Sequence, residues 1–194
     1  MTDREEALKA ARALWAGPVV FLDTETTGLD PYAQVCELAI VGKDGEQLVN
    51  TLIKPTVPIL EPAQGVHGIT DEMVKDAPSF DEAWAEALPC LDRPGLTVCI
   101  YNASFDVPKM RQSSKQPMLL GLPPCECIME LYAQYWGDWS QWHGNYKWQS
   151  LGAAAAQCGL LWPMGAHRAL ADAEMCRRVL EWMATRPAPG QPAP

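Results

Sequence analysis

Two patterns of apolar residues recur along this chain, and together they predict a mixed α/β domain. Short apolar runs bounded by turn residues predict buried strands, whereas apolar positions three and four apart predict helices. The first predicted strand begins at Val19. The other four span 34–41, 47–54, 96–101 and 125–129. The predicted helices span 1–16, 80–91, 105–116, 150–158 and 170–185, and a further helix is predicted to begin at Thr70.

The order of these elements defines the predicted sheet. Short connections join the first three strands, and Asp44-Gly45 between the second and third supplies the positive φ of a tight hairpin. Helices then alternate with strands, and the helix from Phe105 carries Pro108 in its first turn, where proline is tolerated. Three antiparallel strands followed by alternating helices and strands predict an α/β fold with a mixed sheet.

Length and composition favour one globular domain. Hydrophobic residues make up 48% and charged residues 20% of the 194, as in ordinary globular proteins, and no apolar run approaches the ~20 residues of a membrane helix. We divide the chain into an N-terminal helix (1–16), a main domain (17–185) and a proline-rich flexible tail (186–194). Acidic residues in the first segment argue against a secretory signal peptide.

Charge and cysteine content narrow the class of protein. A net charge of −9 argues against a protein that grips duplex nucleic acid through a basic surface, but leaves open an enzyme that holds a short single strand. The seven cysteines are odd in number and form no C-x-x-C pair, which favours reduced thiols. We therefore expect a cytoplasmic protein without disulfides.

A pair of carboxylates follows the first apolar strand directly. Val19 to Leu22 leads into Asp23 and Glu25, and residues two apart on a strand point to the same face. Two like charges at the end of a buried strand are unfavourable unless a positive charge lies between them, and divalent cations prefer such oxygen ligands. The alternative is that both acids open a turn that Gly28 closes.

Two further carboxylates and a histidine stand where strand ends meet helix starts. Asp106 follows the strand at 96–101 and is either a ligand or the N-cap of the next helix. Asp172 falls on the apolar stripe of the last helix, so it is either a ligand or a hydrogen-bonded structural residue. His167 shares a site with Asp172 only if that helix begins near Ala169, since five residues of helix would turn the side chains ~140° apart.

These groups suit the hydrolysis of a phosphodiester. Two divalent ions held by four carboxylates can bind the phosphate, activate a water and stabilise the leaving oxygen. A histidine can accept the proton of that water near neutral pH. Activity is then expected to rise with pH as the histidine loses its proton.

Four motifs, in order, resemble the DEDDh (DnaQ-like) 3′–5′ exonucleases, the family of the proofreading subunit of bacterial DNA polymerase III. The motifs are Asp23-Thr24-Glu25-Thr26-Thr27-Gly28, Val66-His67-Gly68-Ile69-Thr70, Asn102-Ala103-Ser104-Phe105-Asp106 and His167-Arg168-Ala169-Leu170-Ala171-Asp172. The resemblance spans roughly residues 17–184 and implies a ribonuclease H-like fold with helices on both faces of the sheet. It also implies two Mg²⁺ or Mn²⁺ ions and stepwise release of nucleoside 5′-monophosphates from a 3′ end.

The resemblance also implies roles for single residues. It implies that the metal ligands are Asp23, Glu25, Asp106 and Asp172, and that His167 is the general base. Those implied to bind substrate are Thr26, His67, Asn102 and Phe105. His67 and Phe105 are explained equally well as turn and core residues. At Tyr101 relatives often have histidine before Asn-Ala, so the resemblance carries no substrate role over to that position.

Taken together, the residues and the resemblance predict an exonuclease acting on the 3′ ends of single-stranded DNA. The alternatives are an exoribonuclease that trims RNA, because sequence does not settle the sugar preference, and a non-catalytic nucleic-acid-binding subunit.

Two segments lie outside the motifs. The tryptophan-rich residues 136–148 fit no period and predict an ordered loop, with stacking on bases or burial in the core as alternatives. The tail is either a docking segment for a protein partner or a solvated linker.

Overall fold

The main sheet is built around the strand that carries the first carboxylate motif. The computed structural model describes residues 2–116, 121–162 and 167–186. The main sheet within those ranges consists of β1 (Val19–Thr26), β2 (Val35–Gly42), β3 (Gln47–Leu52), β4 (Thr97–Ile100) and β5 (Cys125–Cys127). Their spatial order is β3-β2-β1-β4-β5. β2 lies antiparallel to both β1 and β3, whereas β4 and β5 run parallel to β1, which confirms the predicted mixed sheet.

Helices cover both faces of this sheet. Those in the described ranges are α1 (Asp3–Ala16), α2 (Glu61–His67), α3 (Asp71–Val74), α4 (Phe80–Leu91), α5 (Ala103–Ser113), α6 (Ile128–Trp136), α7 (Leu151–Gln157) and α8 (Ala169–Thr185). On one face, α1, α6, α7 and α8 pack around Phe21. On the other, α4 and α5 pack around Leu22. Consecutive residues of a strand point to opposite faces, so β1 supplies side chains to both cores.

Local sequence explains where several helices begin. α1 starts at a capping box between Thr2 and Glu5, and α4 at a second one between Ser79 and Glu82. In each, the N-cap hydroxyl and the glutamate carboxylate accept hydrogen bonds from backbone N–H groups that a helix start leaves unpaired. α8 begins at Ala169, the position that a site shared by His167 and Asp172 requires.

The start of α5 differs from the prediction. α5 begins at Ala103, not at Phe105, because Asn102 adopts the left-handed conformation (φ 74°) and serves as the N-cap residue. The Phe105 N–H donates to the Asn102 carbonyl at 2.8 Å, which closes the first turn. Pro108 therefore lies in the helix interior, so its predicted place in the first turn is wrong. Asparagine tolerates this backbone conformation better than most residues.

Two helices and a hairpin were not predicted. α2 has proline in its first turn and contains Gly65, which weakens the helical signal of that segment. α6 follows β5 without a turn, so the predicted strand at 125–129 ends early at Cys127. Residues 136–148, predicted as a loop, contain the end of α6 and a small antiparallel hairpin of β6 (Trp139–Ser140) and β7 (Asn145–Tyr146).

The remaining expectations about the chain concern its cysteines, its tail and membranes. All seven cysteines belong to the described residues and are free thiols, buried or half-buried. The predicted tail lies outside those residues from position 187 onward. In the described part of the chain, no helix combines the length and the apolar character needed to cross a membrane.

Candidate active site

β1 extends past its parallel neighbour, and this offset creates the site. The last pair between β1 and β4 joins Leu22 to Ile100, whereas pairing with β2 continues as far as Thr26. From Asp23 onward, β1 therefore lies beyond the end of β4. Asp23 and Glu25 point to the same face as Phe21, which is the face covered by α8.

Three carboxylates meet at this position. One oxygen each from Asp23, Glu25 and Asp172 lie within 4.8 Å of one another. Asp172 belongs to the first turn of α8, so the start of that helix carries its carboxylate to the end of β1. The structure thus brings the acidic pair of β1 together with Asp172, which lies 147 positions after Glu25 in the sequence.

Asp106 approaches the cluster from the opposite face of the sheet. It is buried in α5 and accepts a 2.7 Å hydrogen bond from Thr24 Oγ1. Thr24 points away from the face of Asp23 and Glu25, and β4 ends before this level, so α5 can place a carboxylate beside β1. Because Asn102 is the N-cap of α5, the alternative that Asp106 caps that helix is excluded.

Burial is the main cause that raises the pKa of each of the four carboxylates, and neighbouring acids add to it. Burial, followed by the charges of Asp106 and Asp172, raises the pKa of Asp23 well above its ordinary value. Burial first and the neighbouring acids next raise the pKa of Glu25 to about 8. Burial also raises the pKa of Asp106 to about 7, although its hydrogen bond with Thr24 acts in the opposite direction. Burial likewise raises the pKa of Asp172.

Such a set of donors fits a divalent metal. The buried Asp106 and the three half-buried carboxylates are unfavourable as anions so close together, and a cation between them relieves both desolvation and repulsion. Hard oxygen ligands of this kind suit Mg²⁺ or Mn²⁺, whereas the sulfur and imidazole donors typical of zinc are not part of the 4.8 Å cluster found among the described residues.

We expect the metal-free protein to become less stable as the pH rises from 6.5 to 8.5. Glu25 and Asp106 keep protons in the folded state at pH values where the unfolded chain has lost them, so the free energy of unfolding falls with rising pH until both groups have ionised in the folded protein. Thermal unfolding in EDTA across this range measures the effect, and adding Mn²⁺ at pH 8.5 should restore stability. A melting temperature in EDTA that does not fall over this range would contradict the description of the cluster.

His167 lies on the loop immediately before α8. Its side chain is exposed, its backbone is left-handed (φ 63°), and its backbone N–H donates to Asp172 Oδ1 at 3.2 Å. Histidine is one of the residues that adopt this conformation more often than most. The hydrogen bond fixes the loop to one of the clustered carboxylates, so His167 lies at the mouth of the site, on the loop where the sequence places it.

An ion pair between a buried glutamate and Arg168, beside His167, was not singled out from the sequence. Glu37 on β2 is 2% exposed, and both of its carboxylate oxygens accept from Arg168 Nε at 3.0 and 3.1 Å. Glu37 also accepts a 2.9 Å bond from the Ala169 N–H, the first residue of α8. The available signal was a single charged residue inside the otherwise apolar run of β2, because such a residue requires a partner. This ion pair fixes the start of α8 and its preceding loop to the sheet.

A groove of about 440 Å³ opens next to the carboxylates. Its walls include Leu60, Val66 and Phe105, and its lining also includes Glu25, Thr24, Thr26 and His67. Three of the four residues predicted to bind substrate therefore border one groove. The fourth, Asn102, does not belong to its lining and instead accepts a hydrogen bond from Ser104 Oγ at 3.0 Å.

His67 is a buried part of that groove. Its Nδ1 accepts from the Ile69 N–H at 3.0 Å, and its Nε2 lies 3.2 Å from the Thr26 carbonyl. Nε2 therefore carries the proton and donates it, and burial lowers the pKa of the ring, which keeps it neutral. His67 thus supports the backbone at the end of β1, as expected for a turn residue.

Comparison with known proteins supports a nuclease. The exonuclease family model RNase_T matches residues 20–180. The uncharacterised exonuclease CP81 of Escherichia phage 186 is 38% identical over 172 residues, which cover 85% of this chain and 87% of the phage protein. The DNA polymerase III epsilon subunit of Pasteurella multocida is 35% identical over 98 residues, which cover 45% of this chain and 38% of that subunit.

Solved structures give the same result for the fold. Exonuclease X, in complex with 5′-overhanging duplex DNA, aligns with a TM-score of 0.61 and 27% identity over 90% of this chain and 95% of its own. Exonuclease I of E. coli, in complex with a dA16 oligonucleotide, aligns with a TM-score of 0.67 and 17% identity over 88% and 41% of the two chains, which shows a shared fold.

The fold and the carboxylate cluster define a hydrolytic nuclease with a ribonuclease H-like architecture. The chain belongs to the RNase_T exonuclease family, the DnaQ-like group to which the sequence motifs pointed. This confirms the predicted family, fold and class of enzyme.

Proposed function

We propose that this protein is a metal-dependent 3′–5′ exonuclease that removes nucleotides from the ends of single-stranded DNA. The observation that carries the proposal is the cluster of Asp23, Glu25 and Asp172, with oxygens within 4.8 Å of one another, at the side of a groove in a chain of the exonuclease family. A 3′-terminal nucleotide in that groove would place its phosphodiester against the carboxylates.

The four carboxylates would hold two divalent ions, Mg²⁺ or Mn²⁺. When bound, such ions supply Lewis-acid stabilisation of the phosphate and lower the pKa of a bound water. The protein's own part is to keep the ligands oriented: Thr24 holds Asp106 by its 2.7 Å hydrogen bond, and the Glu37–Arg168 pair holds the start of α8. His167, on the exposed loop beside Asp172, would accept the proton of the attacking water.

The groove suits a terminal nucleotide whose base no longer stacks on its neighbour. The apolar walls at Leu60, Val66 and Phe105 offer surfaces for that base, and Thr26 and His67, which contact each other, complete the lining. DNA is the favoured polymer because exonuclease X and exonuclease I were both solved in complexes with DNA. RNA is the alternative substrate, since a 2′-hydroxyl is accepted or rejected by local groove shape.

A degradation ladder tests the proposal. Single strands of DNA and RNA, labelled at either the 5′ or the 3′ end, are incubated with Mg²⁺, Mn²⁺ or EDTA. The expected result is a metal-dependent ladder from 5′-labelled DNA and release of labelled mononucleotide from 3′-labelled DNA. Shortening from the 5′ end would overturn the polarity, faster loss of RNA would change the substrate, and cleavage in EDTA would remove the metal from the mechanism.

Replacing His167 by alanine should lower kcat by on the order of 10²–10⁴-fold, because the water would lose its base. Mn²⁺ affinity, measured by calorimetry, should change little, since the side chain is not one of the clustered ligands. An equal loss of turnover and of Mn²⁺ affinity would instead assign His167 a structural role.

A further inference from the structure

Residues 136–148, here called the tryptophan hairpin, expose an unusual amount of aromatic surface. They contain four of the eight tryptophans of the chain. Trp136, Trp139, Trp142 and Trp148 are 45%, 50%, 91% and 60% exposed. Large exposed apolar surface is unfavourable in water and is typical of binding surfaces. Burial in the core, one of the two alternatives for this segment, is therefore excluded for Trp142.

The hairpin is held in a defined conformation. Lys147 donates from its backbone N–H to the Asp138 carbonyl at 2.8 Å, and the two side chains form an ion pair at 3.1 Å. Trp139 and Tyr146 meet edge to face with ring centroids 5.0 Å apart. Trp136 stacks on the buried Tyr132 at 6.4 Å. The exposed rings are thus presented by an ordered frame, which lowers the entropy lost when something binds them.

The hairpin ends at the active-site edge of the sheet. The Tyr101 hydroxyl donates to the Gln149 carbonyl at 2.8 Å, directly after Trp148. Tyr101 follows the last residue of β4 and precedes Asn102, the N-cap of the helix that carries Asp106. Because β1 and β4 are parallel, their carboxyl ends lie at the same edge. A polymer whose end occupies the active site therefore has the hairpin as a neighbouring surface.

Charge favours stacking over phosphate contacts on this surface. The chain carries a net charge of −9, which opposes the approach of a phosphate backbone. Within the hairpin, the single carboxylate is neutralised by Lys147. Stacking of bases on aromatic rings needs no positive charge and accepts every base, because each has a π face. Exposed indoles are thus the means by which an acidic protein can hold a single strand.

We propose that the single strand, upstream of the nucleotide being removed, stacks its bases on Trp139, Trp142 and Trp148 of the tryptophan hairpin. This inference rests on the proposed exonuclease function, since it supplies the rest of the binding site for the same polymer. The hairpin then sets affinity for strands of several nucleotides, while the carboxylates and the groove act on the terminal nucleotide alone.

Binding without catalysis provides the first test. In EDTA, intrinsic tryptophan fluorescence is titrated with dA oligonucleotides of 2 to 15 nucleotides. We expect quenching that strengthens with length and depends weakly on salt. Trp142→Ala/Trp148→Ala should weaken binding of the longest strand by about tenfold or more, whereas Trp142→Phe, which keeps an aromatic face, should come close to the wild type. Met73→Ala removes an exposed apolar side chain from α3 and serves as the matched control.

Steady-state kinetics provides the second test. The double variant should show a raised KM on long strands with kcat little changed, and should hydrolyse the p-nitrophenyl ester of thymidine 5′-monophosphate as the wild type does, because that substrate has one nucleotide. Unchanged affinity for long strands in the double variant overturns the inference. So does sedimentation showing that the wild type self-associates and the variant does not, which would make the hairpin a protein interface. If the double variant binds long strands more weakly than the wild type in EDTA, but the wild type cleaves no strand when metal is added, this inference stands and the proposed function is rejected.

Discussion

Asp23→Asn is expected to abolish nucleotide release and, at the same time, to stabilise the metal-free protein. An Asp23 oxygen lies within 4.8 Å of an oxygen of Glu25 and of Asp172, so the substitution removes one of the proposed metal ligands and should lower kcat by on the order of 10³-fold or more. The same change removes an acid whose ionisation is disfavoured by burial and by the charges of Asp106 and Asp172. The free energy of unfolding in EDTA at pH 8 should therefore rise by about 1 kcal/mol, which is a gain of roughly 2–4 °C in melting temperature.

The sign of the two effects separates this site from an ordinary structural acid. Replacing an aspartate that stabilises the fold would lower the stability of the protein. Replacing a metal ligand that the fold holds at an energetic cost would raise it. Mn²⁺ should stabilise the wild type and leave Asp23→Asn almost unaffected. Asp76→Asn, a change of the same kind at an exposed position, should alter neither activity nor stability. A destabilised Asp23→Asn that still responds to Mn²⁺ would reject the metal assignment.

Arg168→Met is expected to destabilise the protein by about 2–3 kcal/mol, which corresponds to a loss of roughly 4–12 °C in melting temperature. The substitution leaves Glu37 buried with its charge uncompensated, apart from the hydrogen bond from the Ala169 N–H. This expected loss in the free energy of unfolding is at or below the smallest losses typical of a broken buried ion pair, because the Arg168 side chain is 41% exposed. Activity should fall as well, since the loop that carries His167 loses its attachment to β2.

A double-mutant cycle isolates the ion pair. Glu37→Gln in the Arg168→Met background removes the unpaired charge, so the double variant should be more stable than Arg168→Met alone. Its activity should remain low, because the start of α8 still lacks the bidentate anchor. Urea unfolding of the wild type, the two single variants and the double variant measures the coupling. Additive effects of the two single changes would show that Glu37 and Arg168 do not stabilise each other.

Local sequence predicted most of the elements that carry the site. The apolar run from Val19 and the apolar spacing of the helix at 80–91 act over a few residues, so both elements follow from nearby positions. The capping boxes at Thr2 and Ser79, which the structure shows, fix where the first and fourth helices begin. Prediction failed where local signals were weak or where one element followed another directly. α6 follows β5 without a turn residue. The left-handed Asn102 moved the start of α5, and the apolar spacing used to predict that helix does not record such a conformation.

The sequence by itself determined the chemistry of this protein: which carboxylates and which histidine it has, their order, and their places at strand ends and helix starts. Only the tertiary structure decided that they meet. The end of β4 at Ile100 leaves room for Asp106 to approach β1 from one face, and the start of α8 carries Asp172 in from the other. It also paired Glu37 with Arg168 and exposed the tryptophan hairpin at the site's edge. Strand offsets and contacts between distant residues are set by packing of the whole core, which spacing along the chain does not record.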